Sequence, residues 1–132
     1  MQTLPLILIA DNDKDFKQHI VDFLTSKGFQ TKTASSGDET IKMAREFHPA
    51  IILMEITMPG KNGFEVTFEL QQDPHTKNIK ILYLSNLGDT SWAATTEVHR
   101  RLLRQMGAAD YFKKGGNLES LVESIRWHMA QP

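Results

Sequence analysis

Apolar runs alternate along this chain with stretches whose apolar residues recur at helical spacing. Leu6-Ile7-Leu8-Ile9-Ala10 is apolar throughout and stops at Asp11, as a strand buried on both faces does. Phe16, Ile20, Phe23 and Leu24 follow at helical spacing, and Gly28 stands where a C-terminal cap would stop that helix. Phe29 to Ala34 alternates weakly, in the manner of an edge strand. Ser36 with Glu39 makes a capping-box pattern ahead of a second helix carrying Ile41, Met43, Ala44 and Phe47. A second apolar run, Ala50-Ile51-Ile52-Leu53-Met54, again ends at an acid, Glu55. Met58-Pro59-Gly60 and Asn62-Gly63 are turn signals, and Phe64, Val66, Phe68 and Leu70 belong to a third helix that ends before Pro74. Ile79 to Leu84 predicts a strand ending at Ser85. The pattern from Thr90 to Met106 is helical, with Val98, Leu102, Leu103 and Met106 as its inner face. Ala109 to Phe112 predicts a short last strand ending near Lys113-Lys114. Asn117 caps a final helix whose Leu118, Leu121, Val122, Ile125 and Met129 keep a clean amphipathic period.

Strands that alternate with helices imply a parallel sheet covered on both faces. The pattern predicts a flavodoxin-like, doubly wound α/β fold: five parallel strands in the order 2-1-3-4-5 with five helices, forming one domain over 1–132. Ligands of such sheets bind beyond the carboxyl ends of the strands, so chemistry is expected there.

Composition narrows the partners. Lys+Arg number 15 against Asp+Glu 16, a net charge of −1, which makes no electrostatic case for nucleic acid. There is no cysteine, and with it no disulfide or thiolate metal site. No apolar run approaches the roughly 20 residues of a membrane span. The start, Met1-Gln2-Thr3-Leu4-Pro5, lacks the charge of a signal peptide, so a cytoplasmic location is expected. His19, His48, His75, His99 and His128 show no metal-binding spacing.

Four predicted strands end on side chains with chemical use: Asp11-Asn12-Asp13, Glu55, Ser85 and Lys114. Brought together, they would place carboxylates opposite a hydroxyl and an ammonium. Oxygen ligands with few protein donors suit Mg²⁺, and the hydroxyl and ammonium would hold phosphate oxygens.

The order Leu6-Ile-Leu-Ile-Ala-Asp-Asn-Asp13, then Ile51-Ile-Leu-Met-Glu-Ile-Thr-Met-Pro-Gly-Lys-Asn-Gly-Phe-Glu65, then Leu82-Tyr-Leu-Ser85, then Gly107-Ala-Ala-Asp-Tyr-Phe-Lys-Lys114 resembles a response-regulator receiver domain of two-component (phosphorelay) signalling. The resemblance spans roughly Leu6 to Met129 and is specific through its combination of motifs. It implies that Asp11 and Asn12 stand at the acidic pair that binds Mg²⁺, with Glu55 and the Thr57 main-chain carbonyl completing the metal ligands. Glu55 stands at the phospho-accepting aspartate, Ser85 at the switch hydroxyl, Tyr111 at the aromatic switch and Lys114 at the phosphate-contacting lysine. Expected partners are a histidine kinase or an output domain or protein, met through the face from the predicted fourth to the predicted fifth helix, with the chain a monomer or weak dimer.

The chain departs from the pattern in four places. Asn12 replaces a carboxylate by a neutral carbonyl, which weakens the expected Mg²⁺ site. Glu55 carries its carboxylate one methylene further, about 1.5 Å, and in-line transfer is sensitive to displacements of that size. Gly115-Gly116 stands where the family has a proline after the lysine. The Ser85-to-Lys114 segment is also longer than usual, the surplus lying near Gly88 to Ala94. The expectation is an atypical or pseudo-receiver, not an enzyme, working through protein contacts. An enzymatic alternative exists: Asp11-Asn12-Asp13 after an apolar strand matches the opening of haloacid-dehalogenase-like phosphatases, with Asp11 as nucleophile and Asp13 as general acid. Lys14 and the lack of a late acidic pair count against it. A flavodoxin is set aside, since no Ser/Thr/Gly-rich phosphate loop follows the first strand.

Overall fold

Strand and helix alternate as the apolar pattern requires. The computed structural model describes residues 5–85, 105 and 107–131. In chain order the elements are β1 (Leu6–Ala10), α1 (Lys14–Ser26), β2 (Gln30–Ala34), α2 (Gly37–Phe47), β3 (Ile51–Glu55), α3 (Gly63–Gln72), β4 (Lys80–Ser85), β5 (Asp110–Lys113) and α4 (Leu118–Ala130). The strands form one parallel sheet in the order β2-β1-β3-β4-β5, the doubly wound order expected. Four helices stand among the described residues. The surplus near Gly88–Ala94 and, apart from Gln105, the helix predicted over Thr90–Met106 lie outside them.

Because β1 and β3 pair on both sides and carry no polar residue before their last position, their side chains fill two cores at once. Leu8, Ala10, Ile52, Met54, Ile81 and Tyr83 pack on one face with Ile41 and Ala44 of α2 and Val66 and Leu70 of α3. Ile7, Ile9, Ile51, Leu53, Leu82 and Leu84 pack on the other with Ile20 and Leu24 of α1 and Leu121, Val122 and Ile125 of α4. Each buried Leu or Ile removes apolar surface worth roughly 1.5–3 kcal/mol from water. β2, whose Gln30 and Thr33 are exposed, lies at the sheet edge as its weak alternation foretold.

Local chemistry sets the element ends. Gly28, at φ +94°, closes α1: its N–H reaches Thr25 O and the Phe29 N–H reaches Leu24 O, a left-handed cap that any Cβ would strain. Asn117 caps α4, accepting from Glu119 N and Ser120 N. The capping box expected at Ser36 forms only by half. Ser36 accepts from Glu39 N, but Glu39 Oε1 takes the N–H of Ser35. The reciprocal box lies at α3, between Asn62 and Glu65, where the chain reads as a turn and Asn-x-x-Glu was the available signal. Phe68 of α3 is 67% exposed, so it does not share the inner face with Val66 and Leu70. No described helix is long and apolar enough to cross a membrane.

Candidate functional site

Register brings the acids together. Ala10 pairs with Met54, so the next residues, Asp11 and Glu55, leave adjacent parallel strands at the same level and, by the alternation of side chains, on the same face. That face is the one covered by α1 and α4. Glu55 in turn pairs with Leu84, and Phe112 pairs with Leu84 from the far side. Lys114 has the parity of Phe112 and projects over β4 toward the two acids.

The three side chains meet. Lys114 Nζ lies 2.5 Å from Asp11 Oδ2 and 2.8 Å from Glu55 Oε2. All three are withdrawn from solvent, Asp11 completely and the Lys114 side chain to 6% exposure. The remaining carboxylate oxygens are also held. Asp11 Oδ1 accepts the N–H of Asp13 at 2.8 Å. Glu55 Oε1 accepts from Ile56 N at 3.1 Å and Thr57 N at 3.2 Å, a fold-back onto its own next amides. The Phe16 ring lies under the ammonium, 4.6 Å from centroid to Nζ, close enough for a cation–π contact. Burial works against a charged Lys114, but hydrogen bonds to Asp11 and Glu55, and the charges of both, outweigh it and hold its pKa above the ordinary lysine value.

The other expected residues are placed as follows. Asn12 is exposed, and Thr57 is exposed in the loop after β3. Asp13 is the N-cap of α1, its carboxylate accepting from Phe16 N at 3.1 Å. Tyr111 is half-buried on β5 and packs against the core under α2 and α3. Burial, then the charge of Glu55, raises its pKa. Ser85 ends β4 opposite Lys113, and its side chain lies outside the described residues. Gly115, at φ +83°, follows Lys114 with open space where a Cβ would project, and no described peptide bond is cis.

Two residues beneath the site escaped the sequence reading. Phe16 is a helix-face residue by spacing, and nothing marks it as a lysine's platform except its position one turn into α1. Gly63 starts α3 with its N–H on Ile56 O, and a Cβ there would lie 3.0 Å from the Glu55 carbonyl oxygen and 2.9 Å from Ile56 Cα. The loop carrying Thr57 is thereby pressed against α3.

Two carboxylates on neighbouring strand ends suit a hard divalent cation in donor type. No group of three or more His, Asp or Glu placed to hold a metal ion occurs among the described residues, and Asp11 Oδ2 and Glu55 Oε2 both face Lys114.

Comparison with known proteins bears on the family and the fold. The family model for the response regulator receiver domain matches residues 7–126. The polar-differentiation response regulator DivK of Brucella ovis is 29% identical over 127 residues, covering 96% of this chain and 97% of that protein. Protein PilH of Pseudomonas aeruginosa is 30% identical over 122 residues, covering 90% and 93%. Among solved structures, a putative response regulator from Chloroflexus aurantiacus superposes with a TM-score of 0.84 at 24% identity, covering 98% of this chain and 100% of that one. The receiver domain of sensor histidine kinase PA1611 from Pseudomonas aeruginosa, which has a magnesium ion coordinated in its active site cleft, gives 0.83 at 18%, with coverage of 98% and 100%. These two likenesses concern the fold. Nothing in them supports the haloacid-dehalogenase alternative, and Asp13, its required general acid, is committed to capping α1. On the family match over nearly its whole length, the chain belongs to the response regulator receiver domains of two-component signalling.

Proposed function

We propose that this chain is an atypical receiver domain in which Glu55 occupies the phospho-acceptor position, phosphoryl transfer is lost or strongly reduced, and signalling runs through protein–protein contacts. The observation that carries this reading is the engagement of both Glu55 carboxylate oxygens, Oε1 by two backbone N–H groups and Oε2 by Lys114. A carboxylate nucleophile needs a lone pair free and aimed at phosphorus. Glu55 has its oxygens drawn back to the backbone on one side and to an ammonium on the other.

In this reading Asp11, Asn12, Glu55 and the Thr57 carbonyl are the donors toward Mg²⁺, as the ion in the PA1611 receiver's cleft suggests by analogy. When bound, Mg²⁺ would neutralise charge on phosphate oxygens. With Asn12 neutral, that binding is weak. Ser85 and Tyr111 are assigned the switch positions. The partner is a histidine kinase or an output protein, met on the surface from the helix predicted over Thr90–Met106 to α4, with the chain a monomer or weak dimer.

The test is incubation with a small acyl-phosphate donor and Mg²⁺, followed by intact-mass measurement. Wild type should gain no phosphate, while Glu55→Asp combined with Asn12→Asp should gain one. Stoichiometric phosphorylation of the wild type at Glu55 would overturn the reading.

A further inference from the structure

Tyr83 is fully buried on β4, on the sheet face packed by α2 and α3. Its surroundings there are largely apolar, and a phenol in such a place needs a hydrogen-bond partner. The partner is Thr67 of α3, itself fully buried, at 2.5 Å between the two hydroxyl oxygens. Thr67 Oγ1 also lies 2.8 Å from the carbonyl oxygen of Gly63, one turn earlier. That carbonyl only accepts, and a threonine hydroxyl has a single proton. Thr67 therefore donates to Gly63 O, and Tyr83 donates to Thr67. Phe64 meets the Tyr83 ring edge-on, at 5.5 Å between centroids and 89° between planes. One side chain of β4 thus holds the start of α3 at Gly63, Phe64 and Thr67.

From Gly63 the connection runs to the site. Its N–H donates to Ile56 O at 2.6 Å, and a Cβ there would stand 2.9 Å from Ile56 Cα. Ile56 N and Thr57 N in turn donate to Glu55 Oε1 at 3.1 and 3.2 Å. Tyr83 has no direct way to act on Glu55. It pairs in register with Met54, whereas Glu55 pairs with Leu84, so by alternation the two side chains lie on opposite faces of the sheet. Coupling between them passes through the first turn of α3 and the loop after β3.

We propose that Tyr83 is a positioning residue for Glu55: with Thr67 it anchors the first turn of α3 to β4, and the anchored turn keeps the amides of Ile56 and Thr57 aimed at the Glu55 carboxylate. Both hydroxyls sit on regular elements and out of water, and removing either one strands the other without its bond. The loss is therefore felt at the start of α3, where Gly63 lies hard against the loop. The inference rests on the reading of Glu55 as a held carboxylate at the acceptor position, and deepens it.

The experiment measures amide hydrogen exchange residue by residue on the whole chain, without Mg²⁺ or phosphodonor, in wild type, Tyr83→Phe, Thr67→Val and Thr67→Ser. Tyr83→Phe and Thr67→Val should each speed exchange at Ile56 and Thr57 by at least about tenfold beyond any change at Leu8 and Ile52 in the sheet interior. Both should also move the side-chain carboxyl ¹³C signal of Glu55. Thr67→Ser, which keeps the hydroxyl, should leave exchange and signal near wild type. A tyrosine that only fills the core would speed all four amides by one common factor in Tyr83→Phe and leave the Glu55 signal in place, and that result overturns the proposal. Should Tyr83→Phe not fold, the two Thr67 variants decide, and equal exchange at Ile56 and Thr57 in both overturns it. Phosphorylation of the wild type in the separate acyl-phosphate assay would remove the acceptor reading while leaving the exchange pattern intact, so the two failures are distinct.

Discussion

Lys114 Nζ lies 2.8 Å from Glu55 Oε2 although β4 separates their strands in the sheet. The lysine leaves the end of β5, crosses over β4, and reaches acids from β3 and β1. One side chain thus ties the carboxyl ends of three strands, through ion pairs shielded from water and therefore little screened by salt.

Removing one acid should unbalance this group. Glu55→Gln keeps the shape but gives Lys114 an amide in place of a carboxylate. Asp11 still pairs with the ammonium, so the loss should be that of one charged hydrogen bond, about 1.5–3 kcal/mol, measured by urea unfolding. Amide exchange should also quicken across the Gly115-Gly116 turn. An unchanged unfolding midpoint would mean that the Glu55–Lys114 contact contributes nothing.

The double substitution Glu55→Asp with Asn12→Asp shortens the acceptor and restores an acidic pair. Drawn back by one methylene, the carboxylate can no longer fold onto Ile56 N and Thr57 N as Glu55 does. Mg²⁺-dependent mass gain with an acyl-phosphate donor is expected in the double variant and in neither single one, because one repairs only the nucleophile and the other only the metal site.

Gly63→Ala should disturb the site from below. The added Cβ would meet backbone, Ile56 Cα at 2.9 Å and Glu55 O at 3.0 Å, and backbone cannot rotate away. A destabilisation of about 1–3 kcal/mol is expected. In ¹H–¹⁵N spectra the shift changes should centre on Ile56 and Thr57, whose amides hold Glu55. The same substitution at Gly60, with nothing within 4 Å but φ +74°, should act only through local backbone strain and leave those amides in place.

Alkaline pH probes a second buried group. Tyr83, fully buried, shares a 2.5 Å hydrogen bond with Thr67 Oγ1. Burial pushes its phenol up to about 12 from 10.0, the Thr67 hydroxyl pulling the other way. The unfolded chain loses this proton first, so stability is full below pH 10.0 and falls as pH rises toward about 12. Lys114, also raised, acts with the same sign: its ion pairs hold below the ordinary lysine pKa and fail as pH climbs through the raised value. Tyr83→Phe should remove on the order of 2 kcal/mol of the alkaline loss while sparing the Lys114 part, as seen in unfolding midpoints collected from pH 9 to about 12.

Much of the architecture could be read from the linear pattern, because β1 and β3 are apolar at every position before their terminal acids, and central parallel strands demand that. The end residues Asp11, Glu55 and Lys114 were legible for the same reason, since polarity begins where the sheet stops covering the chain. Asn117 as a cap and Gly28 as a stop were local events, decided within a few residues. What the chain could not show in one dimension was which atoms face each other. Whether Glu55 points to solvent, to a hydroxyl or to Lys114 depends on strand register and on a turn 59 positions away, and the structure decides for Lys114 and for the amides of Ile56 and Thr57. The same holds for Phe68, whose helical spacing suits either face of α3 and which packing leaves exposed, and for Glu39, drawn to Ser35 N in place of Ser36 N by the turn before α2. Periodicity reports burial, which is an average over neighbours. Pairing of charges is decided by individual distances, and those exist only once the strands lie side by side.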